Sequence, residues 1–240
     1  MQTRSRGWRA REFKQEVRSS LVTTALIVDD HPIVMEACKQ LLSTAGVTAI
    51  GEASSPVDAY RAYRTLKPDI IISDLTIRTG ILDGISFIRR LRLHDKVTPI
   101  LVFSMHTDPV IISRTLEVGA TGYLWKTTCS EEFVKAFHKV RQGVRYLSHE
   151  VASELAFMEL RGTANPLSTL TLRELQTLAL IADGRSYGLI AEELHVSYKT
   201  VANTASQIKV KLGAASLPEL MRIGIAHLPS ETGRRNIRVA

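Results

Sequence analysis

Cysteine is scarce in this chain: among 240 residues only Cys38 and Cys129 are present, and neither has the spacing of a metal-binding cluster. A disulfide framework and a Cys-based zinc site are therefore excluded, and the two thiols fit a reducing, cytoplasmic setting. Long apolar runs are also missing. No segment approaches the roughly twenty consecutive apolar residues of a membrane-spanning helix, so no membrane partner is expected. Met1 to Thr24 is rich in arginine but lacks the apolar core of a secretory signal. Internal repeats are absent as well, which leaves two domains of ordinary size as the expectation.

Positive charge is less concentrated than the total suggests. The net charge of +7 and pI of 9.6 would ordinarily point to nucleic acid. By segment, however, residues 1–23 carry +4, residues 24–165 are neutral, residues 166–228 carry +1 and residues 229–240 carry +2. The excess sits in the two tails, so any case for nucleic acid must come from motif and geometry.

What the chain does have is a series of short apolar strands ending in polar groups. Ile70-Ile71-Ile72-Ser73 runs into Asp74, and Ala25-Leu26-Ile27-Val28 runs into Asp29 and Asp30. Pro99 to Phe103 ends at Ser104, Gly122 to Trp125 ends at Lys126, and Val47 to Ala53 supplies one more strand. Helical patterns alternate with them, at Pro32–Ala45, Pro56–Leu66, Gly84–Leu93, Pro109–Gly119 and Ser130–Gln142. Five β/α pairs predict a doubly wound, five-stranded parallel sheet with helices on both faces, a flavodoxin-like α/β fold. In such a sheet the carboxyl ends of the strands carry the chemistry.

Three carboxylates meeting there raise one another's pKa unless a cation joins them. A hard divalent ion with oxygen ligands, most simply Mg²⁺, resolves the repulsion. One carboxylate can then act as nucleophile toward a phosphoryl group, with Ser104 and Lys126 suited to its oxygens. Taken alone, a strand-end Asp is more often a helix cap; the convergence of the other residues is what changes that reading.

This constellation resembles the receiver domain of two-component response regulators over residues 24–144. The resemblance implies that Asp74 is the phosphoacceptor. It implies that Asp29, Asp30, Asp74 and the backbone carbonyl of Thr76 hold Mg²⁺. Ser104 and Lys126 would contact the phosphoryl group, and Tyr123 would be an aromatic switch that turns inward on activation. His31 reads as a helix-start residue. One segment departs from the family, which usually has Leu-x-Met-Pro after the acceptor. Here Leu75-Thr76-Ile77-Arg78 runs on, and Asp83-Gly84 arrives about two residues late.

Residues 145–166 read as a helical linker that ends in Gly162-Thr163-Ala164-Asn165-Pro166. Residues 167–228 then form a small all-α domain with helices at Thr171–Ala182, Ser186–Leu194, Ser197–Leu212 and Pro218–Ala226, followed by a basic tail at 229–240. The run Thr171-Leu172-Arg173-Glu174-Leu175, then Ile190-Ala191-Glu192-Glu193-Leu194, Lys199-Thr200-Val201 and Lys211-Leu212-Gly213 resembles the helix-turn-helix domain of the LuxR and NarL/FixJ family.

Ser197 caps the recognition helix, and Val201, Ala205, Ile208 and Leu212 form its apolar stripe. Asn203, Ser206, Gln207 and Val210 lie opposite with Lys199; Asn203 and Gln207 suit adenine and Val210 a thymine methyl. Thr200, Lys199, Lys209 and Lys211 complete the expected DNA-binding set, the lysines meeting phosphates. Ala202 and Thr204 replace a basic residue and a His that the family commonly has.

These readings lead to a DNA-binding response regulator, phosphorylated by a cognate histidine kinase, that binds double-stranded promoter DNA as a homodimer. Leu217, Leu220, Met221 and Ile225 are the candidate dimer residues. Activation would release the recognition helix from the receiver, drive dimerisation, or both. Turnover catalysis is not expected, since Asp29-Asp30-His31 does not match the Asp-x-Asp start of phosphoryl hydrolases. The alternative is an adaptor or phosphate sink whose C-terminal helices bind protein.

Overall fold

The computed structural model describes residues 23–77, 82–161 and 165–228. The basic N-terminal extension expected to be flexible over residues 1–23 lies outside the described residues except for Thr23, as do residues 78–81 of the departing loop, residues 162–164 of the linker and the tail from 229.

Strands β1 (Thr23–Val28), β2 (Val47–Ala53), β3 (Ile70–Ser73), β4 (Ile100–Ser104) and β5 (Gly122–Trp125) alternate with helices α1 (Pro32–Thr44), α2 (Pro56–Leu66), α3 (Asp83–Arg92), α4 (Pro109–Glu117) and α5 (Ser130–Arg141). All neighbouring strands pair in parallel, in the order β2-β1-β3-β4-β5. The sheet has one strand more than the periodicity predicts. β6 (Tyr146–Leu147) adds to the free edge of β5, and two residues are too few to show an alternation.

Alternating side chains build the two faces of the sheet. Leu26, Val28, Ile71, Ile100, Val102 and Tyr123 pack toward α2, α3, α4 and the linker helix α6 (His149–Arg161). Ala25, Ile27, Ile70, Ile72, Leu101 and Leu124 pack toward α1 and α5. With apolar residues on both faces, β1, β3, β4 and β5 are buried along most of their length, while the edge strand β2 is largely half-buried or exposed.

The C-terminal domain follows a short 3₁₀ turn at Pro166–Thr169 and consists of α7 (Leu172–Ala182), α8 (Tyr187–Glu193), α9 (Tyr198–Leu212) and α10 (Leu217–His227). Each helix opens on a hydroxyl cap: Thr171, Ser186, Ser197 and Ser216 accept from the backbone N–H three residues on. Thr171 and Glu174 complete a reciprocal capping box. Such caps stabilise by about 1 kcal/mol each, a large contribution in a core this small. α10 crosses α7 closely at Gly224, where a Cβ would lie 2.7 Å from Ala182 Cβ.

The two domains are in contact through the back of the helix-turn-helix. Gln176 Nε2 donates to Ser86 Oγ at 3.0 Å, and Arg114 Nη2 donates to the Ser168 carbonyl at 3.1 Å. Asp108, which caps α4 through Val110 N–H, also accepts from Asn165 Nδ2 at 3.2 Å, and His227 Nδ1 of α10 lies 3.4 Å from it. The half-buried Asp83 has its pKa raised by burial, and the charge of Arg173 across the same seam opposes that rise.

Candidate functional site

The carboxyl ends of β1, β3, β4 and β5 bring Asp29, Asp74, Ser104 and Lys126 together. Lys126 Nζ lies 2.8 Å from Asp29 Oδ2 and 2.7 Å from Asp74 Oδ2, bridging the two carboxylates. The second oxygen of Asp74 accepts the Leu75 N–H at 2.6 Å. Burial pushes the Asp29 pKa up, Lys126 opposes it, and Asp74 raises it further. Burial also works against the charge on Lys126, but Asp74 and Asp29 outweigh it and hold its pKa above the ordinary lysine value. The lysine is therefore a fixed cation in a site that would otherwise hold only like charges.

Ser104 Oγ is fully buried beside the Tyr123 side chain and makes no hydrogen bond of good geometry among the described residues. Buried polar atoms are rarely left unsatisfied, and a hydroxyl here is placed to donate to an incoming oxygen anion. Tyr123, the expected aromatic switch, occupies the inward position in this structure. It is wholly buried and its hydroxyl donates to the His106 carbonyl at 2.9 Å, so the inward position is already taken.

Two histidines that sequence reasoning did not assign to the site border it. His31 precedes α1 without capping it; its Nδ1 lies 3.1 Å from both Asp29 Oδ1 and Asp30 Oδ1. Ligand atoms of Asp29, His31 and Asp74 fall within 4.8 Å of one another, a donor set able to hold a metal ion. His106 Nε2 meets Thr76 Oγ1 at 3.0 Å, joining the segments after Ser104 and Asp74. The adjacency of His31 to the acid pair was a visible signal; the Thr76–His106 pairing has none in the sequence.

Gly84 explains how α3 reaches Asp74. A Cβ at this position would lie 2.2 Å from the Asp74 carbonyl oxygen and 2.7 Å from Leu75 Cα, so only glycine fits. Its N–H donates to the Leu75 carbonyl at 2.9 Å.

On the second domain, the stripe of Val201, Ala205 and Ile208 is buried, while Lys199, Thr200, Asn203, Ser206, Gln207 and Val210 are exposed. The receiver does not cover this face, so release of the recognition helix is not needed in this arrangement. Ser206 Oγ is turned back to the Ala202 carbonyl at 3.0 Å. Lys209 is half-buried. Lys211 belongs elsewhere: its Nζ lies 2.7 Å from Glu174 Oε2 and is withdrawn from the expected phosphate contacts. Of the dimer candidates, Leu220 is a core residue with no exposed surface, whereas Leu217 and Ile225 are exposed and Met221 is half-buried.

Comparison with known proteins accounts for both halves. Residues 25–138 match the response regulator receiver domain, and residues 168–223 match the bacterial regulatory proteins of the luxR family. The methanol utilization control regulatory protein MoxX of Paracoccus denitrificans is 38% identical over 206 residues, 86% of this chain and 92% of that protein.

The chain belongs to the response-regulator family, with a luxR-type C-terminal domain. The response regulator UvrY of Escherichia coli is 30% identical across 84% of this chain and 93% of its own length. Among solved structures, RcsB of Salmonella enterica serovar Typhimurium, bound to promoter rprA in the presence of the phosphomimetic BeF₃⁻, matches with a TM-score of 0.67 and 25% identity, covering 85% of this chain and 98% of that one. A response regulator of the LuxR family from Aurantimonas is 35% identical, with a TM-score of 0.55, over 58% of this chain and 99% of that one.

Proposed function

We propose that this response regulator controls transcription by binding promoter DNA, and that phosphorylation of Asp74 governs the binding. The observation that carries the phosphorylation reading is the buried Ser104 hydroxyl, without a hydrogen bond of good geometry, beside an Asp74 carboxylate already held by Lys126. A carboxylate oxygen of Asp74 attacks the phosphorus of a phosphohistidine on the cognate kinase; the O–P bond forms as the P–N bond breaks, and the imidazole leaves neutral because the phosphohistidine ring already carries a proton on its other nitrogen. Lys126 stays on the acceptor side as counter-charge, and Ser104 donates to a phosphoryl oxygen.

Asp29, Asp30, Asp74 and the Thr76 carbonyl would hold a divalent ion such as Mg²⁺, in keeping with the hard oxygen donors present. When bound, that ion supplies positive charge to the phosphoryl oxygens. The inward Tyr123, bonded to the His106 carbonyl, matches the position expected of it on activation, with Ser104 and its loop beside it.

On the output side Asn203 and Gln207 read base edges while Lys199, Thr200 and Lys209 position the helix on phosphates. Pairing of two copies through Leu217, Met221 and Ile225 raises affinity by effective concentration. The deciding experiment compares wild type with Asp74→Ala. Acetyl phosphate with Mg²⁺ should add a phosphoryl group, seen by intact mass, and strengthen binding to the chain's own promoter region. Asp74→Ala should show neither; an unchanged response in that variant would falsify the proposal.

A further inference from the structure

The second domain has few cations to offer DNA. Six basic side chains fall within residues 166–228. Arg173 donates to the Leu194 carbonyl and faces Asp83, Arg185 pairs with Glu193 at 3.0 Å, and Lys211 pairs with Glu174. Only Lys199, Lys209 and Arg222 remain. Yet much of the hydrogen bonding in protein–DNA interfaces goes to the backbone, and hydroxyl side chains can supply it as well as cations.

An uncharged surface lies where such contacts are needed. Tyr187 is the first residue of α8 and Tyr198 the first of α9; their ring centroids are 5.9 Å apart at an interplanar angle of 57°. Tyr198 is 62% exposed and Leu189, two residues past Tyr187, is 52% exposed. Neither tyrosine hydroxyl meets a protein partner among the described residues. In a helix-turn-helix the first helix crosses the DNA backbone and the recognition helix presents its N-terminal residues to the groove. The ring pair spans the start of both helices and continues directly into Lys199 and Thr200 of the recognition face.

We propose that Tyr187 and Tyr198 form a neutral clamp for the DNA backbone. Their hydroxyls donate to phosphate oxygens and their ring faces lie against the deoxyribose. This rests on the DNA-binding reading above and adds a positioning site to it. Because no cation is involved, the clamp contributes affinity without adding to counterion release, so it leaves the salt dependence unchanged.

The test is fluorescence anisotropy of a labelled duplex from the chain's own upstream region over a salt series. Wild type is compared with Tyr187→Phe, Tyr198→Phe, the double variant and Lys199→Ala. Phenylalanine keeps the ring pair and removes only the hydroxyls, so melting curves should be unchanged. The double variant should bind about tenfold more weakly with the wild-type salt slope, whereas Lys199→Ala should lower that slope by about 1. Tyr198→Ser, at a largely exposed position and with its melting curve measured alongside, should weaken binding at least as much as Tyr198→Phe.

Binding by the double variant within about twofold of wild type overturns the clamp alone. So does a loss that tracks self-association in sedimentation, which would make the rings a contact between copies. Absence of any binding by wild type overturns the DNA-binding reading and the clamp together.

Discussion

At the top of the receiver sheet, Asp29, Asp74 and Lys126 have side chains no more than 6% exposed, and all three are held by one another. On α9 the opposite holds: Asn203 and Gln207 stand in solvent with no hydrogen bond to a protein group among the described residues. The first region is a preorganised charge cluster in which one added group must displace or join existing partners. The second is a surface whose polar groups are satisfied by water until a large partner replaces it. A small covalent signal and a macromolecular ligand thus call for opposite treatment of polar side chains. Energies follow the same division, because unpaired buried charge costs several kcal/mol while exposed polar groups contribute little to folding.

That contrast can be broken most forcefully at Lys126. Lys126→Met leaves Asp29 and Asp74 facing each other without a counter-charge, and should lower stability by about 3 kcal/mol in divalent-free buffer. Urea denaturation with and without Mg²⁺ checks this: the ion should restore much of the loss, and an equal loss in both conditions would contradict the charge argument. Gly84→Ala comes next. The new methyl meets backbone atoms of Asp74 and Leu75, so α3 must shift, at a cost of about 2 kcal/mol in thermal or urea unfolding.

On the exposed side, Asn203→Ala and Gln207→Ala should leave the melting temperature unchanged. Each should weaken binding to the specific site by about 1–3 kcal/mol, with little effect on unrelated duplex, as competition gel shifts would show.

The smallest effect is expected at Glu174. Burial pushes its pKa up, but hydrogen bonds from Lys211 and Thr171 prevail and hold it below the ordinary glutamate value. Its contribution to stability is therefore present above the ordinary range and is lost as pH falls through and below it. Glu174→Gln should flatten that acid-side loss, changing stability by under about 1 kcal/mol at this partly exposed pair. The same change frees Lys211, so DNA affinity should rise about twofold with a steeper salt dependence.

Much of this molecule was legible from local pattern. Strand ends carrying Asp29, Asp74, Ser104 and Lys126, and the Ser197 cap, are written in adjacent residues whose physics acts over one or two turns. What escaped depends on distant pairing. Lys211 looked like a phosphate contact because its partner, Glu174, lies 37 positions away. Leu220 looked available for dimerisation, yet Gly224 one turn later marks the face where α10 lies against α7, and that signal could have been read. The seam between domains rests on single polar pairs such as Gln176 with Ser86, which follow no periodicity.

Gly84 has a consequence for how motion passes through the protein. A contact between side chains can absorb a few tenths of an ångström by a change of rotamer, so a small displacement dies within it. Backbone resting on backbone has no such slack. With no side chain between α3 and the carbonyl of Asp74, the joint works like a bearing without clearance. Ser86, two residues along the same helix, carries the bond to Gln176, so that single side-chain contact is where the slack lies between the end of β3 and the second domain.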